Sequence, residues 1–274
     1  MNKTKVMVNG LPGNMTSAVV EHIFASDNLE LVPLSLTGPE IEQLNIEEQG
    51  LKIDLIRPES RNFELNNILN HSPFISVDYT HPSAVISNAE FYCKNKLPFV
   101  MGTTGGDRKK LESIVADSKN CAVIAPNMAK QIVAFQAMME YAAKNFPDVF
   151  KGYKLKVKES HQDGKADTSG TAKAVVGYFN ELGIPFSPEQ IIMVRKPIEQ
   201  IELGVPEEYL GGHGWHKYTF VSEDETVLFE FTHNINGRDI YAAGTIDAIR
   251  YLDKKVAEGA EGKIYSMIDV LEGK

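Results

Sequence analysis

What most constrains the fold of this chain is an alternation, sustained through its first half, of short apolar runs with segments of helical periodicity. Residues 5–9, 29–36, 52–56, 74–78, 97–101 and 122–125 read as strands. Several are almost continuously apolar, as strands covered on both faces of a parallel sheet are. Residues 15–24, with Val19, Val20, Ile23 and Phe24 on one stripe, then 83–93 and 108–118, read as the helices between them. This rhythm predicts an α/β domain with a Rossmann-like, doubly wound parallel sheet.

Beyond Asn127 the rhythm changes. A helix is expected over residues 128–144, a strand over 155–159, a helix over 171–182 and a strand over 191–195. Residues 216–222 and 226–233 read as two strands joined across Glu223, Asp224 and Glu225, with Val227, Phe229 and Phe231 marking a sheet buried on one side. Residues 241–257 are helical again. The expected organisation is a domain over 1–127, completed by a C-terminal helical segment at 241–274, and a second α+β domain over 128–240 with an open mixed sheet.

Charge narrows the partners. The 274 residues carry a formal net charge of −9, which argues against a nucleic-acid surface but leaves room for a local pocket that takes small anions. No apolar stretch approaches the roughly 20 residues that cross a bilayer, and no signal-type leader precedes the first strand. The expected location is the cytoplasm, or a plastid if a transit peptide has been removed. Two distant cysteines, Cys93 and Cys121, fit a reducing compartment and packing roles.

The run Gly10-Leu11-Pro12-Gly13-Asn14-Met15 joins the first strand to the first helix. Glycine there permits a tight turn, and the helix N-terminus offers amides to a pyrophosphate. The match to the dinucleotide fingerprint is partial, with Pro12 at its middle glycine and Thr16 near its third, so a plain turn is the competing reading. The second strand ends at Ser35 and Thr37 without the acid of NAD sites or the Arg of NADP sites. Their hydroxyls suit a phosphate or an ordinary loop equally. Gly102-Thr103-Thr104 and Ala125-Pro126-Asn127-Met128 follow two further strands, where open α/β sheets bind ligands or simply turn.

The richest stretch runs from Glu159 to Ala172. His161 and Lys165 stand four residues apart on a glycine-containing loop, followed by Ser169, Gly170 and Thr171 at the start of a helix. An imidazole exchanges protons near neutral pH, and an ammonium donates one or holds a carboxylate. The helix start adds an N-cap and bared amides. Further along, His213 and His216 in the run 211–216 lack a third ligand at metal-site spacing, so no metal is expected.

These segments together resemble the dihydrodipicolinate reductase family, in its plant-type branch. The likeness extends from residues 6–10 through 77–80, 98–108 and 159–173 to 204–208, 229–231 and 267–271. It implies reduction of 4-hydroxy-tetrahydrodipicolinate with loss of water in lysine and diaminopimelate biosynthesis, NADPH or NADH as cofactor, a cyclic dicarboxylate as substrate, and a homodimer or homotetramer. It further implies that residues 128–240 bind substrate and oligomerise. Gly10 to Met15, Gly102 to Thr104 and Ala125 to Met128 match the dinucleotide positions, with Ser35 and Thr37 at the selectivity position. His161 matches the catalytic histidine and Lys165 the proton donor. Gln162, Lys165, Ser169, Gly170 and Thr171 match the substrate-binding set. Gln162 stands where many bacterial members have a second histidine. The alternatives are another two-domain NAD(P)-dependent oxidoreductase of an imine or keto acid, and an NADPH-binding sensor without turnover.

Overall fold

The computed structural model of the chain describes residues 3–273. In chain order its elements are β1 (Thr4–Asn9), α1 (Asn14–Phe24), β2 (Leu29–Leu31), β3 (Leu34–Leu36), β4 (Asn45–Glu48), β5 (Leu51–Ile56), α2 (Leu65–Asn70), β6 (Ile75–Asp78), α3 (Val85–Lys94), β7 (Phe99–Met101), α4 (Arg108–Ala116), β8 (Cys121–Ile124) and α5 (Lys130–Asn145). There follow β9 (Lys154–His161), α6 (Gly170–Glu181), β10 (Ile192–Val194), α7 (Pro197–Leu203), β11 (His213–Val221) and β12 (Leu228–Asn236), then α8 (Asp239–Ala257), β13 (Lys263–Tyr265) and α9 (Met267–Glu272). The chain divides into two compact units. One holds the described residues up to Val133 with those from Asp239 onward, and the other is Ala134–Arg238.

The first unit is built on a six-stranded sheet in the order β13-β8-β7-β6-β1-β2, every neighbouring pair parallel. Alternate residues of its strands feed two cores, which is why the strands read as unbroken apolar runs. Val6, Val8, Val77 and Val123 meet α1 and α8 on one face, while Met7, Phe99, Met101 and Ala122 meet α3 and α4 on the other. The order reverses at β1, with β2 on one side and β6 on the other. The strand ends flanking such a switch point form a crevice.

Three expectations about this unit need correction. Residues 29–36 are not one strand: Pro33 has no amide for a ladder, and the chain breaks there into β2, in the main sheet, and β3. Residues 52–56 do not join the main sheet either. As β5 they form the centre of a separate three-stranded sheet, β3-β5-β4, parallel to β3 and antiparallel to β4. The C-terminal segment is not wholly helical, since β13 adds a strand beside β8.

The second unit is a four-stranded mixed sheet, β10-β9-β11-β12, with α5 and α6 packed on one face through Met139, Val175, Phe179, Tyr218 and Phe220. Here the alternation of Val227, Phe229 and Phe231 misleads. They are 39%, 40% and 37% exposed: Val227 precedes β12, and Phe229 and Phe231 lie on this edge strand, which α5 reaches through Phe135 against Phe231 at 6.1 Å without covering it. Phe229 still stacks on Phe220 at 5.0 Å. No helix among the described residues is long and apolar enough to cross a membrane.

Candidate active site

In the first unit the turn after β1 is closed by backbone. Gly10 holds φ +110°, and a Cβ there would lie 2.7 Å from the Tyr79 carbonyl oxygen, so only glycine fits. The Gly13 amide donates to the Gly10 carbonyl at 3.0 Å. Thr16, where a small residue was expected, donates its hydroxyl to the Gly13 carbonyl at 2.6 Å and so bolts the turn to α1. Gly13 caps α1 without a side-chain acceptor, leaving the amides of Asn14 and Met15 at a bare helix N-terminus. Leu11 is buried, Met15 half-buried, and Pro12, Gly13 and Asn14 are exposed.

A cleft of about 390 Å³ opens at this turn, between Leu11–Gly13, the Thr37–Ile41 segment and residues 79–82. Thr37 lines it, but its hydroxyl donates to the Leu11 carbonyl at 2.8 Å. Ser35 is fully buried, and its Oγ accepts the Leu11 amide at 3.3 Å. Both side chains brace the glycine turn from below. The carboxylate that the sequence did not offer at the strand end arrives three residues later, as Glu40, exposed on the cleft wall.

At the next strand ends, Gly102 makes way for the Tyr79 ring, which a Cβ would meet at 2.3 Å. Burial pushes the Tyr79 phenol well above its ordinary range, opposed by its hydrogen bond with Thr245. Thr103 is buried with its hydroxyl against Asp78, whereas Thr104 is exposed. Of the later run, Ala125 and Met128 are core residues, and the Met128 carbonyl closes on Gly244 of α8. Pro126 is exposed, and the half-buried Asn127 accepts the Ala129 amide at 2.9 Å.

In the second unit the loop between β9 and α6 is held by side chains. Glu159 is fully buried at the end of β9. One oxygen is taken by Arg195 and the other by the Ser169 amide at 3.1 Å. Arg195 continues to the Lys165 carbonyl (Nε, 2.9 Å), and buried Gln200 donates to the carbonyls of His161 (2.6 Å) and Arg195 (2.9 Å). The Lys165 backbone is thereby pinned while its ammonium makes no ion pair among the described residues. Gln162 is half-buried, and its carbonyl accepts the Lys165 amide at 3.3 Å.

Ser169 caps α6, its Oγ accepting the Ala172 amide at 3.0 Å and meeting His216 Nε2 at 2.8 Å. The amides of Gly170 and Thr171 remain without intrahelical acceptors, an arrangement able to hold a small anion. A Cβ at Gly170 would meet nothing within 4 Å. Packing therefore does not demand this glycine, in contrast to Gly10.

His161 Nδ1 donates to the His213 carbonyl at 3.0 Å. In the neutral ring Nε2 is then a bare acceptor. It is buried, has no hydrogen-bond partner and lies 3.9 Å from Glu159. Burial, reinforced by His216, pushes the His161 pKa down to about 4 against the pull of Glu159. Burial acts upward on Glu159, but hydrogen bonds from His216, Arg195 and Ser169 outweigh it and leave its pKa at about 2. Glu159, His161 and His216 bring donor atoms within 4.8 Å of one another. Of the pair read at 213 and 216, His216 is the one in this group, and Arg195 and Ser169 already occupy the Glu159 oxygens.

Sequence reading missed Arg195 and Gln200, which no nearby motif announces, and Glu159 as more than the end of a strand.

Comparison with known proteins gives concordant results. Two family profiles, "Dihydrodipicolinate reductase, N-terminus" and "Dihydrodipicolinate reductase, C-terminus", match residues 4–128 and 131–271. The 4-hydroxy-tetrahydrodipicolinate reductase 1, chloroplastic, of Arabidopsis thaliana is 48% identical over 98% of this chain and 78% of its own. A probable 4-hydroxy-tetrahydrodipicolinate reductase 1, chloroplastic, of Oryza sativa subsp. japonica is 50% identical over 97% of this chain and 78% of its own. Among solved structures, the dipicolinate-bound dihydrodipicolinate reductase of Paenisporosarcina sp. TG-14 superposes with a TM-score of 0.66 at 21% identity, covering 97% of this chain and 98% of that one. This last likeness concerns the fold.

Proposed function

Because this chain belongs to the dihydrodipicolinate reductase family, we propose that it reduces 4-hydroxy-tetrahydrodipicolinate to tetrahydrodipicolinate, with loss of water, in lysine and diaminopimelate biosynthesis. The observation that carries this reading is the β9–α6 loop. It combines a bare imidazole acceptor, an ammonium without an ion pair among the described residues and two free helix amides beside the pair of buried Glu159 and half-buried Arg195.

The glycine turn and α1 N-terminus suit a dinucleotide: the Gly10 cradle excludes a Cβ, and free amides face an anion. The reduced nicotinamide supplies the hydride when bound. The Gly170 and Thr171 amides, with the Lys165 ammonium, hold a substrate carboxylate. Lys165 Nζ then delivers the proton, its place fixed by Arg195 on its carbonyl. His161 Nε2, neutral at pH 7, accepts a hydrogen bond from the ring or from the ammonium, and Gln162 and Ser169 complete the substrate contacts. Both NADPH and NADH serve, since Thr37 and Ser35 carry no charge and Glu40 is the ionisable group on the cleft wall near the strand end. The active species is a homodimer or homotetramer, for which the half-exposed Phe229 and Phe231 on edge strand β12 offer apolar surface.

The test couples the purified chain to substrate formed in situ from pyruvate and aspartate semialdehyde, following NADPH or NADH absorbance. Turnover with either cofactor is expected. Cofactor binding without turnover would replace the enzyme with a sensor.

A further inference from the structure

Beneath the first unit's cleft lies a polar cluster that no step above uses. Asp78, at the end of β6, is fully buried. Its Oδ1 accepts the Thr80 amide (3.0 Å), the Thr80 hydroxyl (2.7 Å) and the Thr103 hydroxyl (3.1 Å). Its Oδ2 accepts the Tyr92 hydroxyl (2.7 Å) and the Asn88 amide (2.8 Å), both from α3. The web extends further. Asn9, the last residue of β1, donates to the Tyr92 oxygen at 3.1 Å and accepts the Leu36 amide of β3 at 2.8 Å. Arg61 donates to Asn88 Oδ1 at 2.6 Å and brings the compensating charge one residue away from the carboxylate.

A buried carboxylate is costly unless its lone pairs are filled, and core packing alone would be served by an apolar residue. Here three arms end on segments that form the cleft: Asn9 precedes Gly10, Leu36 precedes Thr37 and Thr80 lines the wall, while Thr103 follows Gly102, against which the ring of cleft residue Tyr79 packs. We propose that Asp78 is a positioning residue for the dinucleotide, joining the ends of β1, β3, β6 and β7 into one rigid rim, with Tyr92 and Asn88 as its struts and without contact to the ligand. The proposal rests on the cofactor reading given above.

The experiment uses the full chain and measures NADPH affinity by nicotinamide fluorescence, KM for NADPH, kcat at saturating NADPH, and Tm. For Asp78→Asn the new amide faces the Asn88 amide, and NADPH affinity is expected to fall about tenfold, the scale of a lost charged hydrogen bond, with kcat preserved. The exchange Asp78→Asn/Asn88→Asp keeps composition and charge, restores complementary donors and acceptors, and is expected to recover most of the affinity. Tyr92→Phe removes one strut from a site buried under α3 and is expected to weaken NADPH by a few-fold. If Asp78→Asn does not fold, Tyr92→Phe decides. A folded Asp78→Asn, or failing that a Tyr92→Phe chain, that binds NADPH like the wild type overturns the proposal. So does a loss confined to Tm, or an exchange variant that folds without regaining affinity. A wild-type chain that binds neither NADPH nor NADH is a different failure, and brings down the cofactor reading first.

Discussion

The two units build their sites by opposite means. In the first, the groups proposed to meet a ligand are main-chain amides, and what shapes them is the absence of a Cβ at Gly10 and the hydroxyl of Thr16. In the second, the groups proposed to act are two side chains on a loop beside the first amides of α6, held by an ion pair whose members come from β9 and the residue after β10. A backbone site is intolerant of added atoms. A side-chain site depends on charge and has room to spare, as the open space at Gly170 shows.

The sharpest break between the units is expected from Lys165→Ala. Losing a proton donor costs roughly 10²-fold or more in kcat, with NADPH affinity unchanged in a fluorescence titration; activity within a few-fold of wild type would remove Lys165 from that role. Gly10→Ala inverts the pattern. Its Cβ meets the Tyr79 carbonyl at 2.7 Å in a left-handed backbone, which is expected to lower Tm and weaken NADPH about tenfold, while calorimetric binding of pyridine-2,6-dicarboxylate stays as it was. Gly170→Val is expected to keep the wild-type Tm and raise substrate KM several-fold by covering the α6 amides. Glu40→Gln is the smallest kinetic change, a shift of a few-fold in the NADPH/NADH ratio of kcat/KM toward NADPH, since one exposed charge near a phosphate contributes about 1 kcal/mol or less.

Acid should also separate the units. His161, and His233 of β12, which stacks on His216 at 4.6 Å, are held down to about 4 by burial, against an ordinary 6.5. The unfolded chain therefore takes up these protons first, and stability falls as pH drops from 6.5 through 4. Glu159, at about 2 against 4.5, extends the loss below that. Urea titrations across this range should show the second unit's transition moving, and His233→Phe should flatten its slope. A pH-independent midpoint would contradict the burial argument.

Legibility followed the same division. Strands β1, β6, β7 and β8 were readable because burial on both faces leaves a continuous apolar run, and the His161-to-Thr171 loop because its chemistry is contiguous. The break at Pro33 and the departure of β5 to another sheet depend on tertiary pairing, which periodicity does not encode. The alternation at Phe229 and Phe231 did mark a strand face, but nothing local says that a strand is an edge. Arg195 lies 30 residues from the Lys165 carbonyl it holds, and Gln200 lies 39 from that of His161. Their roles exist only once β9 and β10 are side by side. Thr37 was legible as a residue at the strand end, but which way its hydroxyl points was not.

The first unit is assembled from both sides of the second. Its sheet lacks β13, and its core lacks Ala242, Ile246, Ile249 and Leu252 of α8, until residues beyond Asp239 are available. During synthesis, then, the middle of this protein is complete before its beginning. Ala134–Arg238 emerges as one contiguous stretch, while β8 waits with an open edge and the face of β6, β7 and β8 waits without α8. An uncovered apolar face and an unpaired parallel edge are the features that recruit chaperones and seed aggregation. The interval between translation of β8 and of β13 is therefore the period when a nascent chain of this protein is most exposed to both.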